Sequence, residues 1–183
     1  MAIRVVVADD HTVVRQGLRS LLAAEPDIEV VGEAENGRMA VQMAKTLAPD
    51  VVIMDIAMPQ LNGLEATRQI IKEGLPCKVL VLSSYSDDEY VHQLTEAGAA
   101  GYLIKQTAAN DLIKAIREAY KGNAFFSPSI SKRLLDYYRE AYLKGKPIKK
   151  HGEQLDTEIA AALGISFADA EKLAGIRRGG PVG

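Results

Sequence analysis

The chain has 183 residues, 48% of them hydrophobic and 25% charged, with a net charge of −2. That length holds one domain of ~100–200 residues, or one with a small appendage, and the balance excludes collagen-like, low-complexity and wholly disordered chains. A single cysteine, Cys77, excludes an intramolecular disulfide and a thiolate metal cluster and fits a reducing, cytoplasmic setting.

The first apolar run, Ile3–Ala8, reads as a strand and ends in Asp9-Asp10, which interrupt it too early for a secretory leader. Val14, Leu18, Leu21 and Leu22 then make a helical stripe, and Pro26 marks the connection to a second strand over Ile28–Gly32. Ala40, Val41, Met43 and Ala44 form the next helix, Pro49 the next connection, and Val51–Met54 a third strand ending in Asp55. Asn62-Gly63 reads as a turn or helix C-cap beside the stripe of Leu64, Ile70 and Ile71, with Pro76 beyond it. Val79–Leu82 is a fourth strand ending in Ser83-Ser84, followed by a helix with Tyr90, Val91 and Leu94 and a cap at Ala97-Gly98. Gly101–Ile104 is the fifth strand and ends in Lys105; Leu112, Ile113, Ile116 and Ala119 mark the helix after it.

After Gly122 the pattern changes. Ser127-Pro128 reads as an N-cap with proline at the first helical position, and Ile130, Leu134, Leu135, Tyr138, Ala141 and Tyr142 continue that helix to about Gly145. Lys144, Lys146, Lys149 and Lys150, with Pro147 and Gly152, read as a solvated linker. Two short helical patterns, Glu158–Leu163 and Phe167–Leu173, precede a glycine-rich tail.

Strands that begin roughly 25 residues apart, each followed by a helix, predict an α/β fold. The flavodoxin-like doubly wound parallel sheet, five strands in the order 2-1-3-4-5 with a C-terminal helical extension, is the arrangement that needs only five. The predicted divisions are a body over 1–122, a linker helix and basic linker over 123–151, and a short helical tail over 152–183. Residues 1–125 carry 12 Lys/Arg against 17 Asp/Glu, whereas residues 126–183 carry 10 against 7, an acidic body with a mildly basic appendage. No run reaches the ~18–20 apolar residues of a membrane span, so no membrane partner is expected.

Four of the five strands deliver a polar or charged group to one rim, where this fold places its ligands. Taken singly, Asp9-Asp10 is a solvated pair before a helix, Asp55 a loop carboxylate, Ser83 a helix cap and Lys105 a surface lysine. Together they make three carboxylates that repel one another, which requires a cation or a retained proton. No His or Cys forms a suitable cluster with them, so oxygen ligation favours Mg²⁺. A carboxylate can act as nucleophile and become an aspartyl phosphate, and the rest of such a site need only position the group and neutralise its charge. Asp55 is the candidate nucleophile, Asp9 and Asp10 hold Mg²⁺, Lys105 pairs with a phosphoryl oxygen, and Ser83 donates a hydroxyl to another.

These residues carry a resemblance. Ile-Arg-Val-Val-Val-Ala-Asp-Asp-His (3–11), Val-Arg-Gln-Gly-Leu (14–18), Pro-Asp-Val-Val-Ile-Met-Asp-Ile-Ala-Met-Pro (49–59), Asn-Gly-Leu-Glu-Ala-Thr (62–67), Lys-Val-Leu-Val-Leu-Ser (78–83), Ala-Gly-Ala-Ala-Gly-Tyr-Leu-Ile-Lys (97–105) and Ser-Pro-Ser-Ile-Ser (127–131) resemble a bacterial two-component response regulator of the NarL/FixJ subfamily. The likeness spans about residues 1–145. It implies phosphorylation of Asp55 by a sensor histidine kinase, with the Ala57 carbonyl joining Asp9, Asp10 and Asp55 around Mg²⁺, Asp9 partly through water. It also implies a switch in which Ser83 moves toward the phosphoryl group and Tyr102 turns inward, remodelling the fourth helix, fifth strand and fifth helix for a phosphorylation-dependent homodimer or a partner. Gln106 stands where many receivers have proline, and Ser83 where threonine is commoner.

Glu158-Ile-Ala-Ala-Ala-Leu-Gly-Ile-Ser166 resembles the start of that subfamily's LuxR-type helix-turn-helix, but no scaffold helix precedes it. The recognition-helix position holds Phe167-Ala-Asp-Ala-Glu-Lys-Leu-Ala, with acids where phosphate contacts want bases. About 32 residues are too few for an independent core. The tail therefore reads as a truncated or frame-altered output domain, a docking element, or a minimal DNA-binding unit. The leading expectation is a regulator of transcription, and the alternative is a receiver-only adaptor acting through protein contacts; neither is an enzyme beyond its own phosphoryl transfer and slow dephosphorylation. A haloacid-dehalogenase-like phosphatase would carry Asp-x-Asp on the first strand, and a flavin carrier would not put Asp9-Asp10 against a phosphate.

Overall fold

Strands and helices alternate along the chain as the apolar periodicity implies: β1 (Ile3–Ala8), α1 (Thr12–Ala23), β2 (Ile28–Ala34), α2 (Gly37–Thr46), β3 (Val51–Met54), α3 (Gly63–Lys72), β4 (Lys78–Ser83), α4 (Asp88–Ala97), β5 (Gly101–Ile104), α5 (Ala109–Tyr120), β6 (Phe125–Phe126) and α6 (Pro128–Leu143). The computed structural model describes residues 1–84, 88–106 and 109–143. The basic linker and the two short helical patterns of the tail lie outside the described residues.

The sheet is parallel, in the order β2-β1-β3-β4-β5-β6. This is the expected five-stranded order with one strand added. The sixth strand escapes sequence reading because two residues show no alternation. It forms because Phe125 N–H donates to Ala100 O (3.2 Å) and Ser127 N–H to Tyr102 O (3.1 Å), which covers the edge β5 would otherwise expose.

Successive side chains of a strand point to opposite faces, so a strand buried on both sides feeds two cores. Val5, Val7, Val51, Ile53, Leu80, Leu82 and Leu103 enter one core, with Leu22 of α1 and Leu112, Ile113 and Ile116 of α5. Val6, Ala8, Val52, Met54, Val79, Val81 and Tyr102 enter the other, with residues of α2, α3, α4 and α6. Each fully buried Val, Leu or Ile contributes about 1.5–3 kcal/mol, so both layers clamp the strands that end at the acidic rim.

Several boundaries differ from the sequence reading. β2 runs on to Ala34, because a bulge at Val31, opposite the step from Val5 to Val6, shifts the register and lets Glu33 and Ala34 pair with Val7 and Ala8. Asn62 starts a helix and does not end one: its side chain accepts from Glu65 N–H at 2.9 Å, as Asn36 does from Met39 N–H in α2. α6 packs against α4, with Ile130 and Leu134 buried and the Tyr137 and His92 ring centroids 4.0 Å apart. The expected partner surface of α4, β5 and α5 is therefore partly occupied by this chain's own β6 and α6.

Gly63 folds the β3–α3 loop back on β3. Its N–H donates to Ile56 O at 2.8 Å, and a Cβ there would lie 1.9 Å from the Asp55 carbonyl oxygen. Gly63→Ala is expected to lose about 3 kcal/mol by urea unfolding, the upper end of overpacking costs; a loss under about 0.5 kcal/mol would show that the loop is free to yield.

Candidate functional site

Asp9, Asp55 and Lys105 each stand one residue past the end of a strand: β1, β3 and β5. The register Ala8↔Met54 sets Asp9 beside Asp55, and β4 lies between β3 and β5. Lys105 reaches across it: its Nζ lies 2.7 Å from Asp9 Oδ2 and 3.2 Å from Asp55 Oδ2. Asp9 and Asp55 are buried and Lys105 is half-buried.

Backbone groups fix the carboxylates. Ile56 N–H donates to Asp55 Oδ1 and His11 N–H to Asp9 Oδ1, both at 2.8 Å. The His11 ring Nδ1 lies 2.8 Å from Asp9 Oδ1 and 3.1 Å from Asp10 Oδ1. Beneath them the buried Arg15 guanidinium donates to the Asp9 carbonyl at 2.5 Å and faces Glu33 and Glu35 at 3.8 and 3.7 Å.

Strand-end carboxylates bridged by one lysine on a 2-1-3-4-5 core match a known family. Residues 5–117 match the "Response regulator receiver domain" family. The chain belongs to the response regulator receiver family. It is 42% identical over 137 residues to the transcriptional regulatory protein DegU of Brevibacillus brevis, covering 75% of this chain but only 58% of DegU. It is 36% identical over 176 residues to the transcriptional regulatory protein LnrK of Bacillus subtilis, covering 92% of this chain and 80% of LnrK. The solved receiver domain of the response regulator NarL from Mycobacterium tuberculosis superposes with a TM-score of 0.65 at 34% identity, covering 67% of this chain and 98% of that one.

The expected site residues of this receiver fall in three groups. Asp9, Asp10 and Asp55 come together: one ligand atom from each, with one from His11, all lie within 4.8 Å of one another. Lys105 joins them through its two ion pairs. Ser83 is buried at the end of β4, its carbonyl accepting from Lys105 N–H at 2.9 Å. Tyr102 is already fully buried among the residues of the second core, so the inward turn expected of it leaves no further burial to gain. Ala57 is exposed, two residues past Asp55 in the β3–α3 loop.

Sequence reasoning set His11 aside as a ligand and passed over Arg15. His11 turns back onto the acidic pair because it is the N-cap of α1, with extended backbone (φ −90°, ψ 112°). Arg15 carries no sequence signal of its own, since an arginine on a helix is ordinarily a surface residue.

The two bridged carboxylates titrate in opposite senses. Burial pushes the Asp9 carboxyl up, but the Lys105 ammonium and the two His11 hydrogen bonds outweigh it and hold the group below the usual range. Burial and the adjacent Asp9 charge push Asp55 up, and Lys105 only partly offsets them. Burial opposes the charged form of Lys105, yet its two carboxylates raise its pKa. Three carboxylates less one ammonium leave two formal negative charges. A divalent cation cancels those charges, so the donor set fits one.

The raised Asp55 carboxyl contributes stability only while protonated, and loses it as pH rises through its folded value. Asp55→Asn is therefore expected to raise the unfolding midpoint at pH 7 in metal-free buffer, with the gain fading toward about pH 3 where both chain states are protonated. Asp9→Asn is expected to lower the midpoint at pH 7 and to matter less in acid, since a depressed carboxyl stabilises above its unfolded value. Thermal melts at the two pH values check both signs; a lower midpoint for Asp55→Asn at pH 7 would contradict the assignment.

Proposed function

We propose that this receiver is a phosphorylation-driven switch in a two-component phosphorelay, with Asp55 as phosphoacceptor and a sensor histidine kinase as donor. The observation that supports this best is the Lys105 bridge, which keeps a buried carboxylate beside a movable cation. An Asp55 carboxylate oxygen attacks the phosphorus of a phosphohistidine; the O–P bond forms, the P–N bond breaks, and the imidazole leaves with the electron pair and takes up a proton. Lys105 then moves from the Asp55 carboxylate to a phosphoryl oxygen, and Ser83 donates its hydroxyl to a second one. Asp9, Asp10, Asp55 and the Ala57 carbonyl would hold Mg²⁺, which when bound would supply charge neutralisation at the phosphoryl group. Arg15 acts as a positioning residue by anchoring the Asp9 backbone.

The output we propose is transcription regulation, as the names of DegU and LnrK state for those proteins. Residues 1–122 then form the receiver, 123–151 the linker helix and basic linker, and 152–183 the short output tail. A kinase partner and the lack of a long apolar helix among the described residues support a cytoplasmic location and no membrane contact. A homodimer forms when Ser83 moves toward the phosphoryl group beside a Tyr102 that is already turned inward, biasing a two-state surface through new charge-assisted hydrogen bonds. The acids of the tail, Asp169 and Glu171, favour the second reading, an adaptor that signals through protein contacts without DNA. Duplex DNA titrated at several salt concentrations with beryllofluoride-activated protein separates the two. Stronger, salt-steep binding by the full chain than by one ending at Leu143 supports DNA output, and equal binding supports the adaptor.

Asp55→Asn is expected to abolish acid-stable phosphoryl incorporation from acetyl phosphate with Mg²⁺, and full labelling of that variant would defeat the site assignment. Lys105→Ala is expected to stay folded but lose phosphate-dependent dimer formation by light scattering. Dimerisation equal to the unaltered protein would remove Lys105 from the switch.

A further inference from the structure

We propose that α6 is a built-in brake. Its second half lies on α4 as a releasable strap that withholds the α4 face from a second copy of this chain. This rests on the phosphorylation-dependent homodimer proposed above and deepens it by naming what the switch must lift.

The two halves of α6 are held differently. The start is locked to the sheet: Ser127 N–H donates to Tyr102 O at 3.1 Å, Ser127 Oγ accepts from Ile104 N–H at 3.4 Å, and Ile130 is fully buried. The second half rests on α4 through the buried Leu134 and through Tyr137. The Tyr137 ring stands against His92 with centroids 4.0 Å apart, and its Oη lies 2.9 Å from His92 Nε2.

Two features make that seat weaker than a core contact. A cleft of about 130 Å³ opens between the helices, lined by Val91 and His92 of α4 and by Leu134 and Tyr137 of α6 among others. Side chains beside such a gap forfeit the dispersion contacts that close packing supplies. The second feature is that His92 is poorly served. Its Nδ1 is buried without a hydrogen-bond partner, while Nε2 faces both Tyr137 Oη and, at 3.3 Å, Glu96 Oε1. A proton on Nδ1 has no acceptor; a proton on Nε2 serves one of two oxygens and leaves the buried lone pair of Nδ1 unused. Water reaches both nitrogens once the strap lifts, which offsets part of the lost packing.

The strap senses the site through its two supports. β5, which holds its start, runs into Lys105, and α4, which holds its second half, follows the strand that ends in Ser83. Movement of Ser83 toward a phosphoryl group shifts α4 against a helix whose start stays fixed to β5. Lifting the second half uncovers Val91 and Leu134, both buried in the strapped chain, for the matching face of a second copy. Both copies must be released, so while release is rare a tenfold rise in it tightens the dimer about a hundredfold.

Hydrogen exchange and sedimentation of the full chain test the brake. With Mg²⁺ and beryllofluoride, at concentrations below dimer formation, amides of residues 134–143 are expected to exchange about tenfold faster, an ordinary size for such coupling. The Ser127 and Ser131 amides keep their protection. Tyr137→Ala, which removes the ring contact and the hydrogen bond to His92, is expected to show the fast exchange without activation and a dimer about a hundredfold tighter. Tyr137→Phe, which keeps the ring, moves both in the same direction by less. A Tyr137→Ala dimer no tighter than that of the unaltered chain, when beryllofluoride still dimerises the latter, would overturn the brake and leave the phosphorylation reading standing. A tighter dimer in Tyr137→Ala, with no response of the unaltered chain to beryllofluoride, would support the brake and overturn that reading.

Discussion

The Lys105 ammonium between the Asp9 and Asp55 carboxylates sets the charge balance on which the site depends. Two unit charges 4 Å apart interact by about 4 kcal/mol at an effective dielectric of 20, so two buried carboxylates on adjacent strands oppose the sheet register that brings them together. The lysine offsets that repulsion from the third strand end, at 2.7 and 3.2 Å. It does so incompletely. The Asp9 carboxyl is held below its usual range while Asp55 is pushed up, so the proposed phosphoacceptor is the less compensated member of the pair.

β5 joins that balance to the far side of the fold. Its C-terminal end leads into Lys105, while its backbone is tied to the start of α6: Ser127 N–H donates to Tyr102 O at 3.1 Å, and Ile104 N–H to Ser127 Oγ at 3.4 Å. Between these ties the Tyr102 side chain enters the same core as Ile130 and Leu134. A strand of four residues thus leads into a site residue at one end and sends its only aromatic side chain into the core that α6 also enters. α6 in turn rests on α4, where Tyr137 Oη and His92 Nε2 stand 2.9 Å apart.

Much of this was legible in the sequence. β1, β3 and β5 were readable to the residue because burial on both faces leaves nearly continuous apolar runs, interrupted only by Arg4 in β1, and the polar residue that follows each run is the candidate site residue. The end of β2 was hidden because Glu33 and Ala34 follow a glycine, and their pairing depends on a bulge at Val31 in β2, a tertiary fact. β6 was hidden by its shortness, and Asn62 was misread because Asn-Gly signals a turn and a cap equally well. His11 and Arg15 were underrated for a common reason. Each reaches the cluster through the entry geometry of α1, which one-dimensional spacing does not encode. Gly63 carried its signal as a glycine, but the cause, a backbone approach to Asp55, needs the fold.

The central claim is that Asp55, alone among the clustered carboxylates, takes the phosphoryl group. Reductive trapping with borohydride after treatment with acetyl phosphate and Mg²⁺, followed by peptide mass spectrometry, tests it directly. The account predicts conversion of residue 55 to homoserine with Asp9 and Asp10 intact; homoserine at position 9 or 10, with residue 55 unchanged, would contradict it.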